Sequence, residues 1–73
     1  MSRVQTIRFK TDIDCIDCVN TVRNILDNMN NIDYWYLDMI GKDHELIIMG
    51  KDIPVDILID KVNSKGFHLE KIR

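Results

Sequence analysis

Apolar residues along this chain recur with a period of two in some stretches and near 3.6 in others, and the alternation outlines the elements. Ile7-Arg8-Phe9-Lys10-Thr11 alternates as a strand does, within a stretch from about Val4 to Lys10. Val19, Val22, Leu26 and Met29 then fall at helical spacing and predict a helix from Ile16 to Asn28, closed by the turn-rich Asn28-Met29-Asn30-Asn31. Asp33 to Met39 reads as a second strand rich in aromatic residues. Gly41-Lys42-Asp43 predicts a tight turn into a third strand, Glu45 to Met49. Asp52 is placed to cap a second helix, with Pro54 in its first turn and Val55, Leu58, Ile59 and Val62 on its buried stripe. Gly66 supplies a C-cap, and Phe67 to Ile72 forms the last strand.

The order βαββαβ, two βαβ halves in tandem, predicts an α+β domain over residues 1–73. The expected architecture is a ferredoxin-like sandwich, a four-stranded antiparallel sheet with both helices on one face. Strand alternation sharpens this picture. If Trp35, Leu37 and Met39 face the helices, Tyr34 and Tyr36 face outward. If Leu46 and Ile48 face inward, Ile47 and Met49 join the tyrosines on the open face. An open sheet face is normally polar, so this one reads either as tolerated exposure or as a contact surface for a homodimer or a partner domain.

Composition narrows the classes of function. A net charge of −2 gives no basis for nucleic acid or an anionic membrane as partner. No run approaches the roughly 20 apolar residues of a membrane-spanning helix, so no membrane insertion is expected. The segment Met1-Ser2-Arg3-Val4-Gln5 carries no apolar run of signal-peptide type. Only two cysteines are present, and a bridge between them would close a tiny loop of little value as a staple. The expectation is a cytoplasmic chain with a free dithiol, either standing alone or forming part of a longer protein.

Those two cysteines carry the chemistry. Cys15 and Cys18 lie where the first strand meets the first helix, in Thr11-Asp12-Ile13-Asp14-Cys15-Ile16-Asp17-Cys18. Free backbone N–H groups and the helix dipole favour anions there, thiolates included. Two thiolates one turn apart can converge on one soft ion, such as Cu(I), Zn(II), Cd(II) or Hg(II), or on each other. Zinc prefers four ligands; Asp14 is the candidate for the third, with water or Asp12 for the fourth. Asp12, Asp14 and Asp17 surround the thiols and no Lys or Arg lies in the loop. Cu(I) on two thiolates is already a negative centre, whereas a divalent ion on the same pair is neutral. The acidic loop therefore leans toward zinc or cadmium over Cu(I), a lean softened by solvent screening.

With the element order, the Cys-x-x-Cys loop and the Gly66-Phe67 pair opening the last strand, the chain resembles the heavy-metal-associated domain family. Its members include small copper chaperones, the periplasmic mercury-binding protein and N-terminal modules of metal-pumping P-type ATPases. The resemblance covers essentially the whole chain. It implies a metal site at Cys15 and Cys18, metal trafficking or buffering, and a metal-transporting P-type ATPase or a similar metal-binding domain as partner. The family's loop is usually Gly-Met-x-Cys-x-x-Cys; here Asp12 stands for the Gly and Ile13 for the Met, where Ile13 can serve as the inward apolar anchor. Asp14 before the first Cys resembles the form of zinc, cadmium and lead members. Phe67 matches an aromatic position that packs near the site in ATPase-type domains.

Two other readings compete. Thioredoxin-like disulfide exchange also uses Cys-x-x-Cys at a helix start, but the chain is short for that fold and its acids oppose thiolate formation. A module that has lost its metal would act through its surfaces alone. No Ser/His/Asp or Cys/His arrangement and no Gly-rich phosphate loop points to an enzyme. His44, placed in the hairpin turn far from the cysteines, and His68 read as surface residues. Met29, Met39, Met49 and Trp35 read as core or sheet residues, and Asp17 as a solvated first-turn carboxylate.

Overall fold

The computed structural model describes residues 4–72. It runs β1 (Gln5–Thr11), α1 (Ile16–Asp27), β2 (Ile32–Asp38), β3 (His44–Gly50), α2 (Val55–Asn63) and β4 (Leu69–Ile72). The sheet is antiparallel with strand order β2-β3-β1-β4. This is the expected ferredoxin-like sandwich.

The core lies between the sheet and the helices. Ile7, Phe9, Leu46, Ile48 and Leu69 point into it from the strands, and Val22, Leu26, Leu58 and Val62 from the helices. Each such side chain contributes about 1.5–3 kcal/mol of burial. The helical stripes read from sequence are thus the faces that pack, with Val19, Ile25, Val55 and Ile59 at their margins.

Alternation holds on the open face for the tyrosines. Tyr34 and Tyr36 are exposed, with ring centroids 5.9 Å apart. Ile47 lies between Tyr36 and Arg8 in the register and belongs to this face rather than to the core cluster, yet is buried. Arg8 crosses the same face to Glu45, with Nε donating over 2.9 Å and Nη2 over 2.6 Å to Oε1.

Several local expectations are corrected. Met39 is exposed, because β2 ends at Asp38 and the chain leaves the sheet; Asp38 Oδ1 takes the N–H of Ile40 in the connection instead. The β2–β3 connection is accordingly longer than a tight turn. Trp35 is half-buried at the edge of the core, its Nε1 donating to Asp27 Oδ1 at 3.3 Å. Asp52 does not cap α2. It has φ 51, while Pro54 holds the N-cap position without a side-chain bond. The entry to α2 is fixed from outside it, by Gln5 Oε1 accepting the N–H of Ile53 at 3.0 Å. The glycine cap of α2, by contrast, is as expected: Gly66 is left-handed at φ 92, its N–H donates to the Asn63 carbonyl at 2.9 Å and that of Phe67 to the Val62 carbonyl at 3.4 Å, closing the helix before β4.

Gly50 ends β3 where two connections meet. A Cβ there would run into the carbonyl of Asn31, which already accepts the N–H of Lys51 at 2.9 Å. Asn31 Nδ2 in turn donates to the carbonyls of Lys51 and Asp52, so neither segment is free to yield. Gly50→Ala is therefore expected to destabilise the domain by about 2 kcal/mol, read as a lowered denaturant midpoint at constant slope.

Candidate metal centre

The cysteine loop is built from its backbone. Ile13 is fully buried in the core although it lies outside every strand and helix, and this pins the path of residues 12–14. Its N–H donates to Thr11 Oγ1 at 3.3 Å. The chain then enters α1 with Cys15 as N-cap, extended at φ −132 and ψ 159. Serine, threonine, aspartate or asparagine usually serves at that position; here the sulfur accepts the N–H of Cys18 at 3.1 Å. The Cys15 carbonyl takes the N–H of Val19 at 2.9 Å. Both cysteines are thus fixed by the first turn of the helix.

The donor atoms of Asp14, Cys15 and Cys18 all lie within 4.8 Å of one another. Asp14 and Cys15 are exposed, and Cys18 is half-buried against the core. Cys15 and Cys18 are joined as a disulfide, with Cα atoms 5.1 Å apart. The structure therefore differs from the expected free dithiol, showing the oxidised form of the pair. A soft ion needs both sulfurs, so it requires that bond to be opened by two electrons.

Two expectations about neighbouring groups are overturned. Asp12 does not join the cluster. Its Oδ1 accepts the backbone N–H of His68 at 2.8 Å, tying the loop to the segment that enters β4. The candidate fourth ligand is thereby committed elsewhere. His44 is not remote either: its Nδ1 lies 2.9 Å from the carbonyl of Ile13. A carbonyl oxygen can only accept, so Nδ1 carries the hydrogen. The β1–β3 register puts His44 opposite Thr11, directly beside the loop, and it is half-buried rather than a free surface side chain. Asp17 and His68 are exposed as expected, and Phe67 is partly buried against the core.

No family model matches the sequence, and no curated protein is similar enough to count as a match. Solved structures do match in shape. The metal-associated domain of a copper chaperone for superoxide dismutase, in its apo form, superimposes with a TM-score of 0.77 at 14% identity, covering 100% of this chain and 71% of that one. The yeast copper transporter domain Ccc2a, described in apo and Cu(I)-loaded states, gives 0.78 at 16%, over 93% and 94% of the two chains. The N-terminal domain of PacS from Synechocystis gives 0.74 at 17%, over 94% and 98%. The fold is that of the heavy-metal-associated domains. At such identities the likeness is one of backbone, which places the Cys-x-x-Cys loop at the strand-to-helix junction of this heavy-metal-associated fold. Among the described residues no helix is long and apolar enough to cross a membrane.

A concavity lies on the helical side, between α1 and α2, lined by Ile25 and by the polar Thr21, Asn24, Asn28, Lys61, Ser64 and Lys65. Three of these side chains bond within their own helices or helix ends. Thr21 donates to Asp17, Asn28 to Asn24 and Ser64 to Lys61.

The role of Ile13 as loop anchor has a direct consequence. Ile13→Ala is expected to destabilise the domain by about 3 kcal/mol, while Ile13→Met stays within about 1.5 kcal/mol of the parent, both by denaturant titration.

Proposed function

We propose that the reduced domain binds a soft heavy-metal ion through Cys15 and Cys18, with Asp14 as a third ligand when the ion is divalent. The observation that carries this reading is the meeting of one carboxylate and two sulfurs within 4.8 Å at an exposed loop. Sulfur donors suit Cu(I), Zn(II) and Cd(II), and a carboxylate beside them favours the divalent ions. Support for metal as cargo comes from the neighbours in fold, which include a copper chaperone and a copper transporter domain with a Cu(I)-loaded state.

The role is trafficking or buffering rather than catalysis, with delivery to a metal-transporting P-type ATPase, or service as its separate regulatory domain. An exposed site of two or three ligands can pass its ion to a similar dithiol on a partner by stepwise exchange. Each step replaces one thiolate with another, so no bare ion is released. The disulfide must first be reduced, with a dithiol reductant giving up two electrons and becoming a disulfide itself, as a reducing compartment such as the cytoplasm permits.

One observation favours a second reading, thiol–disulfide exchange: the pair is joined in the structure. That reading requires turnover of a disulfide substrate, which the trafficking reading does not.

Competitive metal titration of the reduced protein tests both. Cys15→Ser and Cys18→Ser are expected to abolish Cu(I), Zn(II) and Cd(II) binding. Asp14→Ala should lower Zn(II) and Cd(II) affinity at least tenfold, of the order found when a ligand shell is disturbed, and leave Cu(I) unchanged. A reduced parent protein that ignores all three ions, while reducing disulfide substrates catalytically, would replace this reading with the redox one.

A further inference from the structure

We infer that Asp12 and His44 are positioning residues that set the preference of the metal loop for divalent ions, acting through the backbone on Asp14. This rests on the divalent reading of the site proposed above. The loop is held from two sides by independent sets of bonds. On the helix side, the N–H of Val19 to the Cys15 carbonyl and the N–H of Cys18 to the Cys15 sulfur fix the thiol pair within α1. On the strand side, Asp12 Oδ1 takes the N–H of His68 before β4, and His44 Nδ1 on β3 donates to the carbonyl of Ile13. These two bonds grip the residues immediately before Asp14 from the segments that flank β1 in the sheet. Asp14 itself makes no side-chain hydrogen bond among the described residues, so the path of its backbone sets where its carboxylate can reach.

The two sides therefore control different ligands. Cu(I) is satisfied by two sulfurs, both held by the helix. Zinc and cadmium draw on the carboxylate as well, and its position depends on the strand-side grip. Asp12 has a further effect. Because one of its oxygens accepts a backbone N–H, Asp12 stays out of the cluster, and Asp14 is the carboxylate grouped with the two sulfurs among the described residues, which limits the negative charge placed directly on a divalent ion.

The test compares Zn(II), Cd(II) and Cu(I) affinities of the fully reduced chain for Asp12→Ala, His44→Ala, Asp12→Asn and His44→Asn, with Asp14→Ala as reference. Asp12→Ala and His44→Ala are each expected to lower divalent affinity about tenfold, the lower end for groups acting behind a metal ligand, and to leave Cu(I) affinity unchanged. Asn restores the parent values, since its carbonyl can accept from His68 and its amide nitrogen can replace Nδ1. In the metal-free reduced protein, Asp12→Ala also speeds amide exchange at His68, which verifies that this bond is the one lost. Equal losses for Cu(I) and the divalent ions would overturn the inference by making the residues merely structural, as would no divalent loss while Asp14→Ala still shows one. If Asp14→Ala itself has no effect on zinc or cadmium, the divalent reading falls and this inference with it.

Discussion

The burial of one side chain in a loop governs the chemistry of this domain. Ile13 is wholly enclosed by the core, yet it belongs to the connection between β1 and α1. An isoleucine withdrawn from that core would forfeit a few kcal/mol, a large share of the stability available to so small a domain. The loop therefore has little freedom to lift away. With residue 13 facing inward, the flanking positions 12 and 14 are left at the surface, and both are aspartates. The sulfurs follow from the helix that starts directly afterwards. Core and cysteine loop are one unit, and changes in the first are felt in the second.

Most of the fold was legible because hydrophobic periodicity survives wherever an element has one wet and one dry side. Val22, Leu26, Leu58 and Val62 carry the helical stripe, and Phe9, Leu46 and Ile48 the strand alternation. Legibility failed where local signals were overruled by distant ones. Asp52 looks like a cap for α2, but the Asn31 side chain binds its carbonyl from the α1–β2 connection and it adopts a left-handed conformation instead. Met39 continues the alternation of β2 on paper, but the strand has already ended. Nothing local distinguishes Gly50 from any strand-end glycine; its necessity comes from Asn31, a residue on another connection.

The same division applies to the candidate site. Cys15, Cys18 and Asp14 lie within five consecutive positions of sequence, so their meeting needs only a strand, a loop and the first turn of a helix. Asp12 and His44 act across the sheet, with partners far away in the chain. The signal for His44 was present in the register: a strand that pairs Leu46 with Phe9 must put His44 beside Thr11, two residues before Ile13. Assigning His44 to a tight hairpin turn concealed it. The signal for Asp12 was weaker, since a side chain to backbone bond leaves no periodicity to read.

The withdrawal of Asp12 from the sulfurs bears on which ion the loop would prefer. With both Asp12 and Asp14 coordinating, a divalent ion on two thiolates would sit in a doubly negative centre at a surface already carrying Asp17. With Asp12 held by the His68 N–H, the proposed set of two sulfurs and one carboxylate is singly negative and one ligand short of the four that zinc prefers. That missing position, on an exposed face, is where water or an arriving thiolate can bind. An incomplete shell weakens holding but eases exchange, since the entering sulfur adds before any other leaves. Under the proposed reading, a loop that ties one of its own carboxylates to the segment before β4 would suit passing a divalent ion onward better than storing it.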